Sequence, residues 1–285
     1  VYVDDVIPAG TPGFDKLTDC LGERYDAKDK VNEDGRIAGI ELKCDEDGIR
    51  VNQSQYLKSL RPLPTDATYE DFRSVRMKLM WLVHSRPDVA YCAATAAQVS
   101  AEQWSSSTSA IRRLNATIKR LHASSDEYIR FPKLDLNTLK ICVYCDASFA
   151  NNEDMSSQMG YIVFLTDENR RCAPMSFKSM KCKRVTRSVL AAEAIAFAEG
   201  FDQGYTLKNN LKETLEREVP LNILTNSKTL FDVIRKASYT REKRIHIDLA
   251  SVREGYGHSD IDDIGLIRSE ENLADGLTKE TNMER

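Results

Sequence analysis

No stretch of this sequence runs for about eighteen apolar residues, the length a helix needs to cross a bilayer, so no membrane span is expected. Nor does the chain open with a basic segment leading into an apolar one, so no secretion signal is expected. Cysteine is sparse and unorganised. Seven is an odd count with no framework spacing, which favours a reducing compartment. Cys142 and Cys145 have the C-x-x-C spacing, but "LKICVYCDASF" reads as a strand, where positions three apart point to opposite faces. Without a second Cys/His pair at zinc spacing, these cysteines read as structural. A large excess of one charge is also missing, since 40 basic residues meet 44 acidic ones for a net −4, which excludes a strongly basic clamp and an acidic disordered tail. There is no low-complexity tract and no long repeat.

What is present is local pattern. The 285 residues are enough for two domains. "VYVDDVIPAG" (1–10) reads as strand, acidic turn, strand, with adjacent carboxylates at Asp4 and Asp5 that call for a cation. Phe14, Leu17 and Leu21 at helical spacing predict a helix over 13–25. "RIAGIELKCDEDGIRVNQSQYLKSL" reads as strand, turn at Asp47-Gly48, strand and short helix, and "RPLPTDATYED" (61–71) as a linker. Residues 71–123 read as mainly helical, with Pro87 ending one helix and Trp81 and Trp104 as core. "FPKLDLNTLK" (131–140) marks a second boundary.

From about residue 138 the pattern becomes strand, strand, strand, long helix from about Arg187, strand, helix, helix, strand at 261–269, and a final helix starting at "ENLADGLTK". This is a mixed five-stranded sheet flanked by helices, an α/β arrangement. If its first and fourth strands are neighbours, Asp146, Glu193, Asn226 and Asp275 converge at one edge. Three carboxylates and an amide oxygen would suit Mg²⁺ or Mn²⁺, hard cations that take oxygen ligands. Surface acids are common, and the same residues also read as a solvated face. The run 171–187 carries six Lys/Arg and no acid, which suits either a phosphate backbone or a solvated loop.

Five segments, "YCDASFANNEDMSSQMGYIVFL", "RVTRSVLAAE", "LTNSKTLFDVI", "EKRIHIDLASVRE" and "NLADGLTK", resemble in order and spacing the ribonuclease H domain of copia-type LTR retrotransposons, with fungal elements the nearest likeness. Upstream, "YVDD", "GIRVNQSQYLKSL" and "KLMWLVHSRPDVAY" resemble the later part of the reverse transcriptase that precedes that domain. The resemblance implies a truncated reverse-transcriptase palm remnant over 1–65, a helical thumb or connection segment over 66–130, and a ribonuclease H-like domain over 138–280. "VYVDD" then looks like the polymerase's catalytic hairpin, with Asp4 a metal ligand of an incomplete site, and Pro8 stands where the family has an aliphatic residue. The second polymerase aspartate and the fingers lie earlier in the family's chain, so no polymerase activity is expected.

The resemblance further implies metal-dependent cleavage of the RNA strand of an RNA/DNA hybrid, with two Mg²⁺ or Mn²⁺ ions in the intact family site. Carried over, the acids fall on Asp146, Glu193 and Asp275, and the third of the family's four falls on Asn226, a departure from "TDSK" to "TNSK". An amide offers one carbonyl oxygen without the charge, so impaired catalysis is expected. Asp232 lies in the next helix, where the family carries an acid outside the site. Lys178, Lys181, Lys183, Arg184 and Arg187 are the expected hybrid-binding residues, gripping phosphates and 2′-OH groups. His246 and His258 read as structural. Expected partners are the hybrid and the upstream reverse-transcriptase and integrase portions of a polyprotein. The expected location is a cytoplasmic virus-like particle or the nucleus. Two other readings stand beside the nuclease: a non-catalytic relic that keeps the fold, with or without hybrid binding, and a connection module that only positions a partner.

Overall fold

The computed structural model describes residues 34–280 apart from 103, 105–107, 237–239 and 241. The expected acidic turn at Asp4 and Asp5, Pro8 and the helix over 13–25 lie outside the described residues.

Strands β1 (Asp34–Ile37), β2 (Ile40–Asp45) and β3 (Gly48–Asn52) form an antiparallel meander. The segment expected to be one strand before Asp47 is two. Ala38 and Gly39 both take positive φ, 49° and 82°, and close a two-residue hairpin of the kind whose twist matches its flanking strands. Gly48 then opens β3 at φ 148°, and a Cβ there would lie 2.1 Å from the Phe131 carbonyl oxygen. The absent side chain lets a fourth strand, β4 (Ile129–Pro132), pair with β3 and complete the sheet.

Between β3 and β4 lie the helices α1 (Ser54–Leu57), α2 (Tyr69–Leu82), α3 (Ala90–Ala96) and α4 (Thr108–Ala123). A reciprocal cap starts α2. The Thr68 hydroxyl accepts from the Asp71 N–H at 3.2 Å, and the Asp71 carboxylate accepts from the Thr68 N–H at 2.9 Å. Pro87 re-aims the chain through a 3₁₀ turn into α3, as its missing N–H dictates. Leu60, Phe72, Leu79, Leu114, Ile118 and Leu121 form the buried core of this unit, with Trp104 tilted on Phe72 at 4.9 Å between ring centres.

The second unit carries β5 (Lys140–Ser148), β6 (Gln158–Thr166), β7 (Cys172–Lys181), α5 (Val189–Leu215), β8 (Leu221–Thr225), α6 (Lys228–Arg235), α7 (His246–Gly257) and β9 (Asp263–Leu266). Its sheet runs β7-β6-β5-β8-β9, antiparallel from β5 to β7 and parallel from β5 through β8 to β9. This is the expected five-stranded mixed sheet flanked by helices, and its first and fourth strands are neighbours. Helix α5 lies close on β5 because Gly200 presents no side chain. A Cβ there would sit 2.3 Å from the Cys145 sulfur. Cys145 faces α5, whereas Cys142 bonds to Thr166, so the two point to opposite faces. None of the six described cysteines is in a disulfide. No described helix is long and apolar enough to cross a membrane.

The expected final helix is not formed within the described residues. Asp275–Leu277 make one 3₁₀ turn. Gly276 is a poor helix former, and the neighbouring side chains are drawn to other partners: Leu277 into a cluster with Ala90 and Ile162, and the Thr278 hydroxyl to Asp146.

Candidate active site

Alternation along β5 buries Val143 and Cys145 under α5, and Asp146 follows two residues before the strand's carboxyl end. Parallel pairing with β8 brings Asn226, the residue after that strand, to the same edge. Ser188 caps α5 by accepting from the Ala191 N–H at 3.1 Å, and Glu193 lies just over one turn inside that start, over the end of β5. The 3₁₀ turn supplies Asp275.

Asp146 and Glu193 are both buried. Burial raises the Glu193 carboxyl to about 8, the neighbouring Asp146 charge adds to the rise, and an N–H from Ala147 offsets part of it. Its Oε2 is buried with no hydrogen-bond partner. Burial also raises Asp146, opposed by the Thr278 hydroxyl that donates to it and reinforced by the Asp275 charge. Burial holds the adjacent Cys145 thiol well above its usual range. Two buried carboxyls that resist ionisation, one with an orphaned oxygen, form a set that a hard cation would satisfy.

Convergence is nevertheless incomplete. Among the described residues, no group of three His, Cys, Asp or Glu side chains comes close enough together to hold a metal ion. Asp275 is drawn to Lys279, whose Nζ lies 2.5 Å from its Oδ1. That ammonium also favours the charged forms of Asp146 and Glu193, so it acts as counter-ion to all three acids. Asn226 does not turn a free oxygen to the site. Its Oδ1 accepts from Asn272 Nδ2 at 3.2 Å, and its own Nδ2 donates to the Ser269 hydroxyl at 3.3 Å.

Asn272, Thr278 and Lys279 are the residues that sequence reasoning missed. The amide of Asn272 donates to the Cys145 carbonyl at 2.9 Å and to Asp146 Oδ1 at 3.4 Å as well as to Asn226, while its oxygen accepts from the Ala274 N–H at 3.1 Å. One buried side chain thus ties the ends of β5 and β8 to the Asp275 turn. All three flank Asp275 within "NLADGLTK", and the available signal was a polar side chain at three before, three after and four after the acid.

The expected hybrid-binding residues divide. Lys178, Lys183 and Arg187 are exposed and have no ion pair among the described residues. Lys181 is bound by Asp154, whose carboxyl that contact holds at about 2, and Arg184 makes a two-pronged pair with Asp248 at 2.8 and 2.9 Å. A cavity of about 320 Å³ beside the start of α5 is lined by Arg184, Arg244, Glu242 and apolar side chains, and the acids are not part of its wall. His246 Nε2 lies 2.9 Å from the Thr240 carbonyl oxygen at the start of α7, and His258 caps that helix's other end. Asp232 pairs with Lys236 on α6.

No protein-family model matches the chain. It is similar to a retrovirus-related Pol polyprotein from transposon RE1 of Arabidopsis thaliana, at 26% identity over 308 residues, covering 98% of this chain and 20% of that protein. A second relative, from transposon RE2 of the same plant, is 28% identical over 221 residues, covering 68% and 14%. The chain thus spans a fifth or less of the length of these relatives. Among solved structures it is similar to LC11-RNase H1 in complex with RNA/DNA hybrid, at 18% identity and TM-score 0.38, covering 49% of this chain and 94% of that one. It is also similar to the PFV RNase H domain, at 16% identity and TM-score 0.36, covering 50% and 93%, and to RNase H1 of Halobacterium salinarum, at 14% and 0.36, covering 49% and 94%.

Proposed function

Taking a chain similar along nearly its whole length to a transposon Pol polyprotein as the premise, we propose that residues 138–280 form a ribonuclease H module directed at the RNA strand of an RNA/DNA hybrid. Residues 1–65 are then a palm remnant and 66–130 a thumb or connection segment of the same polyprotein. The observation that carries this reading is the buried pair of Asp146, on β5 beside the parallel strand β8, and Glu193, just inside the start of α5, with Glu193 Oε2 buried and unpartnered. Such an oxygen costs stability unless a cation or proton satisfies it.

Asp146 and Glu193 would hold a divalent cation, with Asp275 joining once it leaves Lys279. Dications of this kind activate a water and stabilise the leaving oxygen in phosphodiester cleavage. This chain's own residues do the rest. Asn272 orients Asp146, and the Thr278 hydroxyl donates to that carboxylate's other oxygen. Lys178, Lys183 and Arg187 grip phosphates, so binding is tolerant of sequence and weakens steeply with salt.

A second reading, a fold-retaining relic that binds hybrid without turnover, is favoured by the Asn226 oxygen being taken by Asn272 and by Lys279 holding Asp275. The deciding experiment is cleavage of a labelled hybrid with Mg²⁺ and then Mn²⁺ by the native chain and by Asn226→Asp. The neighbours of Asn226 are an amide NH₂, which already donates to it, and a hydroxyl that need only turn its proton to donate to a carboxylate, so the aspartate fits. A gain of at least about a hundredfold, equivalent to about 3 kcal/mol of transition-state stabilisation, is expected. Cutting by neither chain while both stay folded would overturn the nuclease reading. Cutting by the native chain that is lost on Asp146→Ala would overturn the relic.

A further inference from the structure

We propose that Gln158 and the end of helix α3 are positioning elements for the Asp275 turn, so that the upstream helical unit completes the nuclease site. This rests on the reading above of Asp275 as one of the site's acids.

Three residues of 3₁₀ turn cannot fix their own position, because so short a run has few internal bonds and poor geometry. What packs around Asp275–Leu277 decides where the carboxylate stands. Beneath it is β6. A Cβ on Gly160 would meet Leu277 Cβ at 2.7 Å and Thr278 Cγ2 at 3.1 Å, so the turn rests directly on the strand's backbone. At its side is β7, where the Ser179 hydroxyl donates to the Leu277 carbonyl at 2.5 Å. On the remaining side the upstream unit closes in, with Ala90 of α3 sharing one buried apolar cluster with Ile162, Ala274 and Leu277.

Gln158 links these supports. Its side chain is wholly buried at the start of β6. Its Nε2 donates to the Ser179 hydroxyl at 2.8 Å, leaving that hydroxyl's own proton for Leu277. Its Oε1 accepts from Asn152 Nδ2 at 3.2 Å and from Gln98 Nε2 at 3.3 Å. Two donors on one oxygen fix which way the amide faces, and with it which way the serine points. Gln98 follows α3 by two residues. A continuous chain of hydrogen bonds therefore runs from the upstream unit through β6 and β7 to the backbone of the catalytic turn. A buried glutamine that merely satisfied itself would not need a donor from another unit.

The test uses the full chain with Gln98→Ala and Gln158→Ala, the first at the edge of the interface and able to fold even if the second is not. Hydrogen exchange is followed in a peptide spanning Ala274–Lys279. Exchange there should quicken by about fivefold or more, with α5 and β8 unchanged, the signature of local rather than global opening. By calorimetry, Mn²⁺ affinity of the Asn226→Asp chain should fall severalfold with Gln98→Ala added, while hybrid affinity stays the same. Unchanged exchange at 274–279 in every variant that folds, or equal loss of protection over α5 and β8, would overturn the proposal. If Asn226→Asp neither cuts nor binds Mn²⁺, the nuclease reading falls by itself and the exchange result still decides whether α3 positions the turn.

Discussion

Replacing Glu193 by glutamine tests whether the orphaned carboxyl carries the electrostatic load the geometry assigns it. In the folded chain, burial first and the Asp146 charge second lift this carboxyl to about 8 from an ordinary 4.5. The folded state therefore holds the proton more tightly than the unfolded state. Stability is fully present below about pH 4.5 and is lost as pH rises towards 8, where the loss levels off. Each pH unit inside that window costs up to about 1.4 kcal/mol, so the wild-type chain should lose about 2–3 kcal/mol from this group between pH 5 and pH 7. Asp146 is raised as well and acts with the same sign. Glutamine keeps the shape and cannot ionise. Urea denaturation followed by circular dichroism in EDTA should show the two chains converging at low pH, and Glu193→Gln ahead by about 2 kcal/mol more at pH 7 than at pH 5. Adding Mn²⁺ at pH 7 should stabilise the wild type and leave the glutamine variant nearly unchanged. Parallel stability curves across this window would refute the reasoning, because they would mean that the carboxyl is solvated or already neutralised.

Asn272→Ala strips a donor from Asp146, Asn226 and the Cys145 carbonyl at once. It should cost about 2 kcal/mol in urea denaturation and depress hybrid cleavage further than this loss of stability accounts for. Lys279→Met removes the cation facing the three acids, so calorimetry should show Mn²⁺ binding about tenfold tighter, with lower stability in EDTA at pH 8. Gly200→Ala forces a methyl against the Cys145 sulfur and Val143. Overpacking of about 1–3 kcal/mol should outweigh the gain of about 1 kcal/mol in helix propensity, and Cys145→Ala should relieve part of the loss in a double-mutant cycle.

The second sheet was legible because its strands carry the period-two signal densely. In "LKICVYCD" Ile141, Val143 and Cys145 alternate with less buried neighbours, and the pattern matches the observed burial. What escaped notice had no local signature. Ala38 at positive φ looks like an ordinary strand residue, so the first hairpin merged into one strand. Strand β4 is four residues whose partner lies about eighty positions earlier, a pairing that no window along the chain can sense. The final helix failed in the other direction. Its polar and apolar spacing permitted a helix, but Leu277 gains more by entering the cluster with Ala90 than by extending a ladder through Gly276. At the candidate site, Asp146, Glu193, Asn226 and Asp275 were expected from the order of motifs, because a resemblance transfers positions. It does not transfer partners, so Asn272, Thr278 and Lys279 became visible only once the turn lay against β5.

That separation of position from partner bears on what the change at Asn226 means. If an aspartate replaces the amide, the bond from Asn272 is kept and the one to Ser269 reverses, the hydroxyl donating to the carboxylate, while Asn272 still bonds to the Cys145 carbonyl. The departure is one of charge and not of shape. With position 226 neutral, Lys279 cationic and the Glu193 carboxyl raised to about 8, this edge carries less negative charge than four ionised acids would supply. A fold selected only for packing would have had no reason to keep Asp146 and Glu193 buried side by side at a cost in stability.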